Sequence, residues 1–319
     1  MLTLFSTPKP FRGPIAAIQR NALRSWKLLH PDADVILFGD EEGAAEVSRE
    51  LELRHEPSVE RSRLGVSRAD YMFLRAQEIA RHNVLCYSNC DIVLTQDFLR
   101  ALERLLAWRN AFLMVGRRWD TDITGPLDFS SNIWQEKIVA CARTEGIQRF
   151  YHNIDYFAFT KGLYREMPPL VVGRVWWDHW MVGNALAQGA GVVDASEAVC
   201  AVHQNHDYSH HPEGMHGICH DEDAQRNFQL AGGHHHLRTI EDATFRLFPA
   251  GIQPNRFHWL APTKRRMREV RTRVRGFVRT TFWHRLLNAT RPLRHAIGLK
   301  QQNVPKALRR SERRHWMDQ

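Results

Sequence analysis

Long apolar runs are missing from this 319-residue chain. None approaches the ~20 residues that a membrane-spanning helix needs, so no helical span is expected. Because 43% of the residues are hydrophobic, material for a sizeable core is still present. The start, Met1-Leu-Thr-Leu-Phe5, has no basic segment and soon meets Pro8 and Pro10, so it does not read as a secretory leader. Cysteine is scarce: five residues, at 86, 90, 141, 200 and 219, odd in number and scattered. That count argues against a disulfide framework, and the Cys86-x-x-x-Cys90 spacing matches no zinc site. Free thiols in a reducing compartment are expected, and with them a cytoplasmic protein. The sequence also lacks internal repeats and any recognised nucleic-acid motif, so no nucleic-acid partner is expected.

Acidic charge is nearly absent from one end. Residues 261–319 carry 17 of the 44 Lys and Arg but 3 of the 35 Asp and Glu, a net of +14, while residues 1–260 net −5. Two parts follow: a mildly acidic folded domain over 1–260 and a basic, partly helical tail over 261–319. Within 264–319, Phe277, Phe282, Trp283, Leu286 and Leu287 are interspersed among the arginines. That mixture suits peripheral contact with an anionic membrane, such as the inner face of a cell membrane, or with another polyanion. A solvated tail is the competing reading.

The body alternates strand and helix patterns. Leu2–Ser6, 33–39 and 51–55 read as strands. Ile15, Ile18, Ala22, Trp26 and Leu29 recur at helical spacing, and 41–50 suits a second helix. A further helix is expected to open at Ser67, with Asp70 three residues on in a capping-box pattern. Thr95 is placed to cap a helix carrying Phe98, Leu102, Leu105 and Leu106. Strands are expected at 111–116, 154–159, 191–194 and 198–202, and a helix at 181–188. This rhythm predicts an α/β fold with a Rossmann-type, mostly parallel sheet flanked by helices.

The centre of the pattern is Asn83-Val-Leu-Cys-Tyr-Ser-Asn-Cys-Asp-Ile-Val-Leu94. An apolar strand breaks at Ser88–Asp91 and then resumes. A carboxylate amid such a run is costly without a partner, and the carboxyl ends of parallel strands are where α/β sheets bind ligands. Asp91, with the Asn89 carbonyl beside it, can hold a hard divalent ion such as Mg²⁺ or Mn²⁺. The plainer alternative is a strand-ending Asp that caps the next turn.

Four blocks in order resemble a group of bacterial glycosyltransferase-like proteins of the GT-A fold, the nucleotide-diphospho-sugar transferase superfamily. They are Ser6-Thr-Pro-Lys-Pro-Phe11; Tyr87-Ser-Asn-Cys-Asp-Ile-Val-Leu94; Asp155-Tyr-Phe-Ala-Phe159 with Met167-Pro-Pro169 and Trp177-Asp-His-Trp180; and His203-Gln-Asn-His-Asp-Tyr-Ser-His210. They span about residues 2–245 and leave the tail outside. Asn89-Cys90-Asp91 is similar to the metal-binding "DxD", with Asn in place of the first Asp, which removes one charge from the site.

The resemblance implies a glycosyltransferase that moves a sugar from a nucleotide-diphosphate donor to a carbohydrate, lipid-linked or small-molecule acceptor. A divalent ion would neutralise the diphosphate leaving group. It implies Asn89, Asp91 and a late histidine, His203 or failing that His206, as metal ligands. Nucleotide contacts would come from Ser6, Thr7 and Lys9, with Arg68 and Asp70 on a phosphate and ribose. The sugar and acceptor side would hold Asp155, Trp177, Asp178, His179 and Trp180, with Asp178 as base and Asp155 second. Two other readings stay open. One is a non-catalytic nucleotide-sugar or carbohydrate-binding relative, favoured by Asn89. The other is a nucleic-acid-associated protein, suggested by the +14 tail and disfavoured because those charges lie outside the folded body and no recognised nucleic-acid motif appears. A sugar-nucleotide pyrophosphorylase is also α/β, but it would open with a Gly-rich phosphate loop, and residues 6–13 contain a single glycine, Gly13.

Overall fold

The computed structural model describes residues 2–123, 125–206 and 214–261, together with 263 and 267. By compactness the chain divides into residues 1–258 and a second unit from Trp259 onward, most of which lies outside the described residues. The expectations for 264–319 fall there.

In chain order the first unit contains β1 (Leu2–Ser6), α1 (Gly13–Lys27), β2 (Asp34–Phe38), α2 (Ala44–Glu50), β3 (Arg54–Glu56), α3 (Ala69–Ile79), β4 (Val84–Ser88), β5 (Ile92–Val93), α4 (Gln96–Trp108), β6 (Phe112–Val115) and β7 (Arg118–Thr121). There follow α5 (Trp134–Thr144), β8 (Ile147–Gln148), β9 (Tyr156–Thr160), α6 (Trp177–Ala187), β10 (Gly191–Asp194), β11 (Ala201–Gln204), α7 (Gly214–His220), α8 (Glu222–Leu230), β12 (Phe245–Phe248) and β13 (Gly251–Pro254). Among the described residues no helix is long and apolar enough to cross a membrane.

The main sheet has the order β13-β12-β10-β6-β9-β4-β1-β2-β3. It is mostly parallel, as the alternation predicts, with β9 reversed between β4 and β6 and β13 reversed at one edge. β1, β2, β4 and β6 are buried along their whole length, which explains their near-continuous apolar runs: both sheet faces are covered. Alternate side chains separate two cores. Leu2, Leu4, Trp26, Val35, Leu37 and Phe98 meet on one face. Phe5, Phe38, Phe73, Tyr87, Phe159 and Trp177 meet on the other.

A second sheet, β5-β11-β7-β8, has no counterpart in the sequence pattern. Its strands are short, and β7 carries the polar run Arg118-Trp-Asp-Thr121. The third strand also lies later than expected, at Arg54–Glu56, while Leu51 and Leu53 pack on the core from the turn after α2. The capping box at Ser67 is not formed. α3 begins at Ala69 without a side-chain cap, and the Ser67 hydroxyl instead meets Thr7 and Arg61.

Candidate metal and nucleotide site

Asp91 lies just past the carboxyl end of β4, in the break before β5. The antiparallel pairing of β5 with β11 sets His203 opposite Ile92. Gln204 locks this register. Its N–H donates to the Asp91 carbonyl, and its fully buried amide reaches the Ile18 and Asp91 carbonyls and accepts from Asn21 on α1. The result is convergence: His206 Nε2 lies 3.1 Å and His203 Nε2 3.7 Å from Asp91 Oδ2. The three ligand atoms fall within 4.8 Å of one another, the one such group of His, Cys, Asp or Glu found among the described residues.

The donor set fits a divalent ion. Asp91 Oδ1 is buried without a hydrogen-bond partner. Asp91 Oδ2 faces two ring nitrogens that can each present a lone pair. One carboxylate and two imidazoles suit a borderline ion such as Fe²⁺ or Zn²⁺, and accept the hard Mn²⁺ more readily than Mg²⁺, which prefers an all-oxygen set. Burial pushes the Asp91 carboxyl up, but His203, His206 and Lys9 outweigh it and hold the group well below the usual carboxylate range.

Behind this trio stands a second row of charges. His203 Nδ1 lies 3.2 Å from Asp120 Oδ1, because His203 and Asp120 are register partners in the parallel β7–β11 pair. Arg118 Nε donates to Asp120 at 2.8 Å, and Arg149 Nε lies 3.2 Å from its other oxygen. Burial raises the Asp120 carboxyl, but His203 and the two arginines bring it below its ordinary value. A carboxylate behind a ligating imidazole fixes the ring and its tautomer.

Arg118 also donates to Asp155 Oδ1 at 2.8 Å, and the Asn89 amide donates to that same oxygen at 2.7 Å. Asp155 Oδ2 and Asp178 Oδ1 are buried and unpartnered. Burial raises the Asp178 carboxyl above its ordinary value, the neighbouring Asp155 charge adds to this, and His179 works against it. Two carboxylates with open oxygens thus stand close enough to feel each other.

Several expected roles are corrected. The Asn89 side chain is engaged by Asp155 and by the Tyr87 hydroxyl, 3.2 Å away, so its hydrogen bonds tie it to the Asp155 row rather than to the Asp91 trio. Ser6 is wholly buried against Tyr87 and Cys90 and cannot face a nucleotide. Arg68 pairs with Asp70 and Glu60, which leaves a surface ion-pair group where phosphate and ribose contacts were expected. Trp177 is core, stacked edge-on to Tyr87 with centroids 5.2 Å apart, so it offers no sugar platform. Trp180 is half-buried and tilted against Tyr164, and His179 Nε2 faces the His152 carbonyl. Asp178 is the second residue of α6 and not its cap. The cap position belongs to Trp176, held at φ 84°, a strained setting for a bulky residue, with its ring near Phe228 and His234.

Thr7 and Lys9 remain at the carboxyl edge, half-buried in the loop after β1. Lys9 Nζ lies 3.3 Å from His206 Nε2. Beyond Thr7 and Ser67, Arg61 bonds Asp40 and Glu41 beside a cleft of about 460 Å³ that Tyr71 also lines. A cavity of about 490 Å³ between α4 and α5 shares no residue with the Asp91 trio. Sequence reading missed Asp120 and Arg149 as members of the site; Arg118, which follows a strand and reads as a candidate for phosphate or acceptor, pairs with Asp120 and Asp155. The usable signal was Arg118-x-Asp120, a polar pair on one face of a strand.

No family model matches the chain, and no curated protein matches its sequence. Solved structures do resemble it. Glucosyl-3-phosphoglycerate synthase from Mycobacterium tuberculosis, in complex with Mg²⁺ and uridine diphosphate, aligns with 10% identity over 73% of this chain and 80% of that chain, TM-score 0.46. The same enzyme with Mn²⁺, UDP-glucose and phosphoglyceric acid gives 10%, 73%, 80% and 0.47. Residues 1–349 of S. aureus TarS give 10%, 72%, 69% and 0.42. The likeness is one of architecture, and the roles of individual residues rest on this chain's own geometry.

Proposed function

We propose that the protein is a glycosyltransferase that takes its sugar from a nucleotide-diphosphate donor with a divalent ion at Asp91, His203 and His206. The observation that carries this reading is the convergence of one carboxylate and two imidazoles at the carboxyl edge of a parallel sheet, the usual ligand edge of α/β proteins. The four sequence blocks shared with GT-A glycosyltransferase-like proteins point the same way. When bound, the ion would neutralise charge developing on the diphosphate leaving group.

The chain's own residues divide the remaining work. Asp120 holds the His203 ring. Thr7 and Lys9 approach the donor from the loop after β1, and the cleft lined by Asp40, Arg61 and Tyr71 is open to the nucleoside. The unpartnered oxygens of Asp155 and Asp178 are free to accept sugar or acceptor hydroxyls. Asp178, raised by burial, is the better proton acceptor, since a base works best when its pKa approaches the working pH. A second reading, a nucleotide-sugar-binding relative without turnover, draws support from Asn89 being held by Asp155 and Tyr87.

The test is a thermal-shift screen of nucleoside diphosphates with and without Mn²⁺, joined to a hydrolysis assay on UDP- and GDP-sugars. Ligands of the native state raise its melting temperature. The expected result is a nucleotide shift that grows with Mn²⁺ more than with Mg²⁺, is lost in Asp91→Asn, and accompanies sugar release. Nucleotide binding without hydrolysis, with or without a metal-dependent shift, selects the second reading, and no nucleotide shift in either condition rejects both.

A further inference from the structure

Lys9 sets a positive charge beside His206, one of the three proposed ligands. Its Nζ is 3.3 Å from His206 Nε2, and that nitrogen is also 3.1 Å from Asp91 Oδ2. One imidazole nitrogen cannot serve both neighbours at once. It either carries a hydrogen for the carboxylate or offers a lone pair to the ammonium. A metal ion would need that same lone pair. The ammonium and a divalent ion therefore exclude each other at His206.

The position of Lys9 is set by the fold. Its backbone is clipped by the buried side chain of Gln19 on α1, which accepts from the Lys9 N–H at 2.6 Å and donates to the Lys9 carbonyl at 2.8 Å. The base of the side chain is thus fixed, and its long stem lets the charged end move between nearby anions. Among the described residues Asp91 is an anion whose charge it feels, and an incoming diphosphate at the sheet edge would be another.

We propose that Lys9 is a resident cation that exchanges with the divalent ion, occupying the Asp91–His206 position until a nucleoside diphosphate draws it away and opens the site to metal. This rests on the metal and nucleotide reading of the site. It makes metal and nucleotide binding cooperative by construction. Metal alone must displace an ammonium, whereas metal arriving with a diphosphate finds the ammonium already paired elsewhere. Binding reciprocity then requires the metal to tighten the nucleotide by the same factor.

The experiment measures Mn²⁺ affinity by electron paramagnetic resonance or calorimetry, with and without UDP and with and without GDP. It uses full-length wild type, Lys9→Met, Lys9→Arg and Asp91→Asn. Wild type is expected to bind Mn²⁺ more tightly with at least one nucleotide, by roughly 5–150-fold, the usual span of coupling between sites. Lys9→Met is expected to bind Mn²⁺ alone more tightly than wild type, to bind the nucleotide more weakly, and to lose most of the coupling. Lys9→Arg, which keeps the charge, is expected to retain coupling. Asp91→Asn is expected to bind no Mn²⁺ in either state. If Lys9→Met matches wild type in Mn²⁺ affinity and coupling while Asp91→Asn abolishes binding, the exchange is overturned and the metal site stands. If wild type binds no Mn²⁺ under any condition, both are overturned.

Discussion

Asp178 carries two opposed costs on one side chain. Burial and the charge of Asp155 raise its carboxyl despite His179, so the ionised form is less welcome in the folded protein than in the unfolded chain. The folded-state pKa lies above the unfolded value. As pH rises from that unfolded value through the folded one, the unfolded chain gives up its proton first and the fold loses stability. Asp178→Asn removes the penalty. The variant should melt higher than wild type near pH 7, with the gap closing toward pH 3, where the Asp178 carboxyl is protonated in the folded and the unfolded chain alike. If Asp178 is also the base, turnover falls by roughly 10²–10⁴-fold. A gain in stability with a loss of activity is the pattern of a residue kept for function. Melting curves across pH, together with initial rates, measure both halves. Unchanged turnover rejects the base role, and a melting gap that does not depend on pH rejects the burial argument.

At the level of elements, the site is a product of strand register. β11 pairs with β5 on one side and β7 on the other, so His203 lies between the Asp91 segment and Asp120. A one-residue slip of β11 would turn His203 to the opposite face, and the buried Gln204 clamp works against that slip. Asp120 also bonds Arg118 and Arg149, so replacing it by Ala would leave the buried Arg118 short of a partner. Asp120→Asn keeps the shape and removes the charge behind His203. Mn²⁺ affinity should then fall roughly 10–100-fold, the usual cost of losing such a support, with little change in the far-ultraviolet circular dichroism spectrum. Calorimetric Mn²⁺ titration of the two proteins checks this, and equal affinities would remove Asp120 from the site.

For the whole molecule, the uneven charge is the dominant feature. The first 260 residues net −5 and the remainder +14. Basic residues near an anionic membrane surface each contribute about 1 kcal/mol, fading within a Debye length. A chain ending at residue 263 should therefore lose most of its binding to vesicles containing phosphatidylserine or phosphatidylglycerol, while nucleotide binding persists. Co-sedimentation at low and physiological salt is the measurement. Equal sedimentation of full-length and shortened chains would dismiss membrane contact by the tail.

What the sequence alone determined was local or periodic. Buried parallel strands announce themselves as apolar runs, so β1, β2, β4 and β6 could be read directly. So could α1, from Ile18, Ala22 and Trp26, and the break that carries Asp91. A carboxylate interrupting an apolar run is visible because the run makes it costly. Only the tertiary structure decided the rest, because those features depend on residues far apart in the chain. The reversal of β9 and the small β5-β11-β7-β8 sheet arise from strand pairings that leave no local period. Trp177 is core because Tyr87 and Phe157 close over it, and Asn89 faces Asp155 because β9 runs beside β4. His203 and Asp120 are 83 positions apart and meet only through the β7–β11 register. The chemistry of single side chains was legible in order, and which of them converge was decided by register and burial.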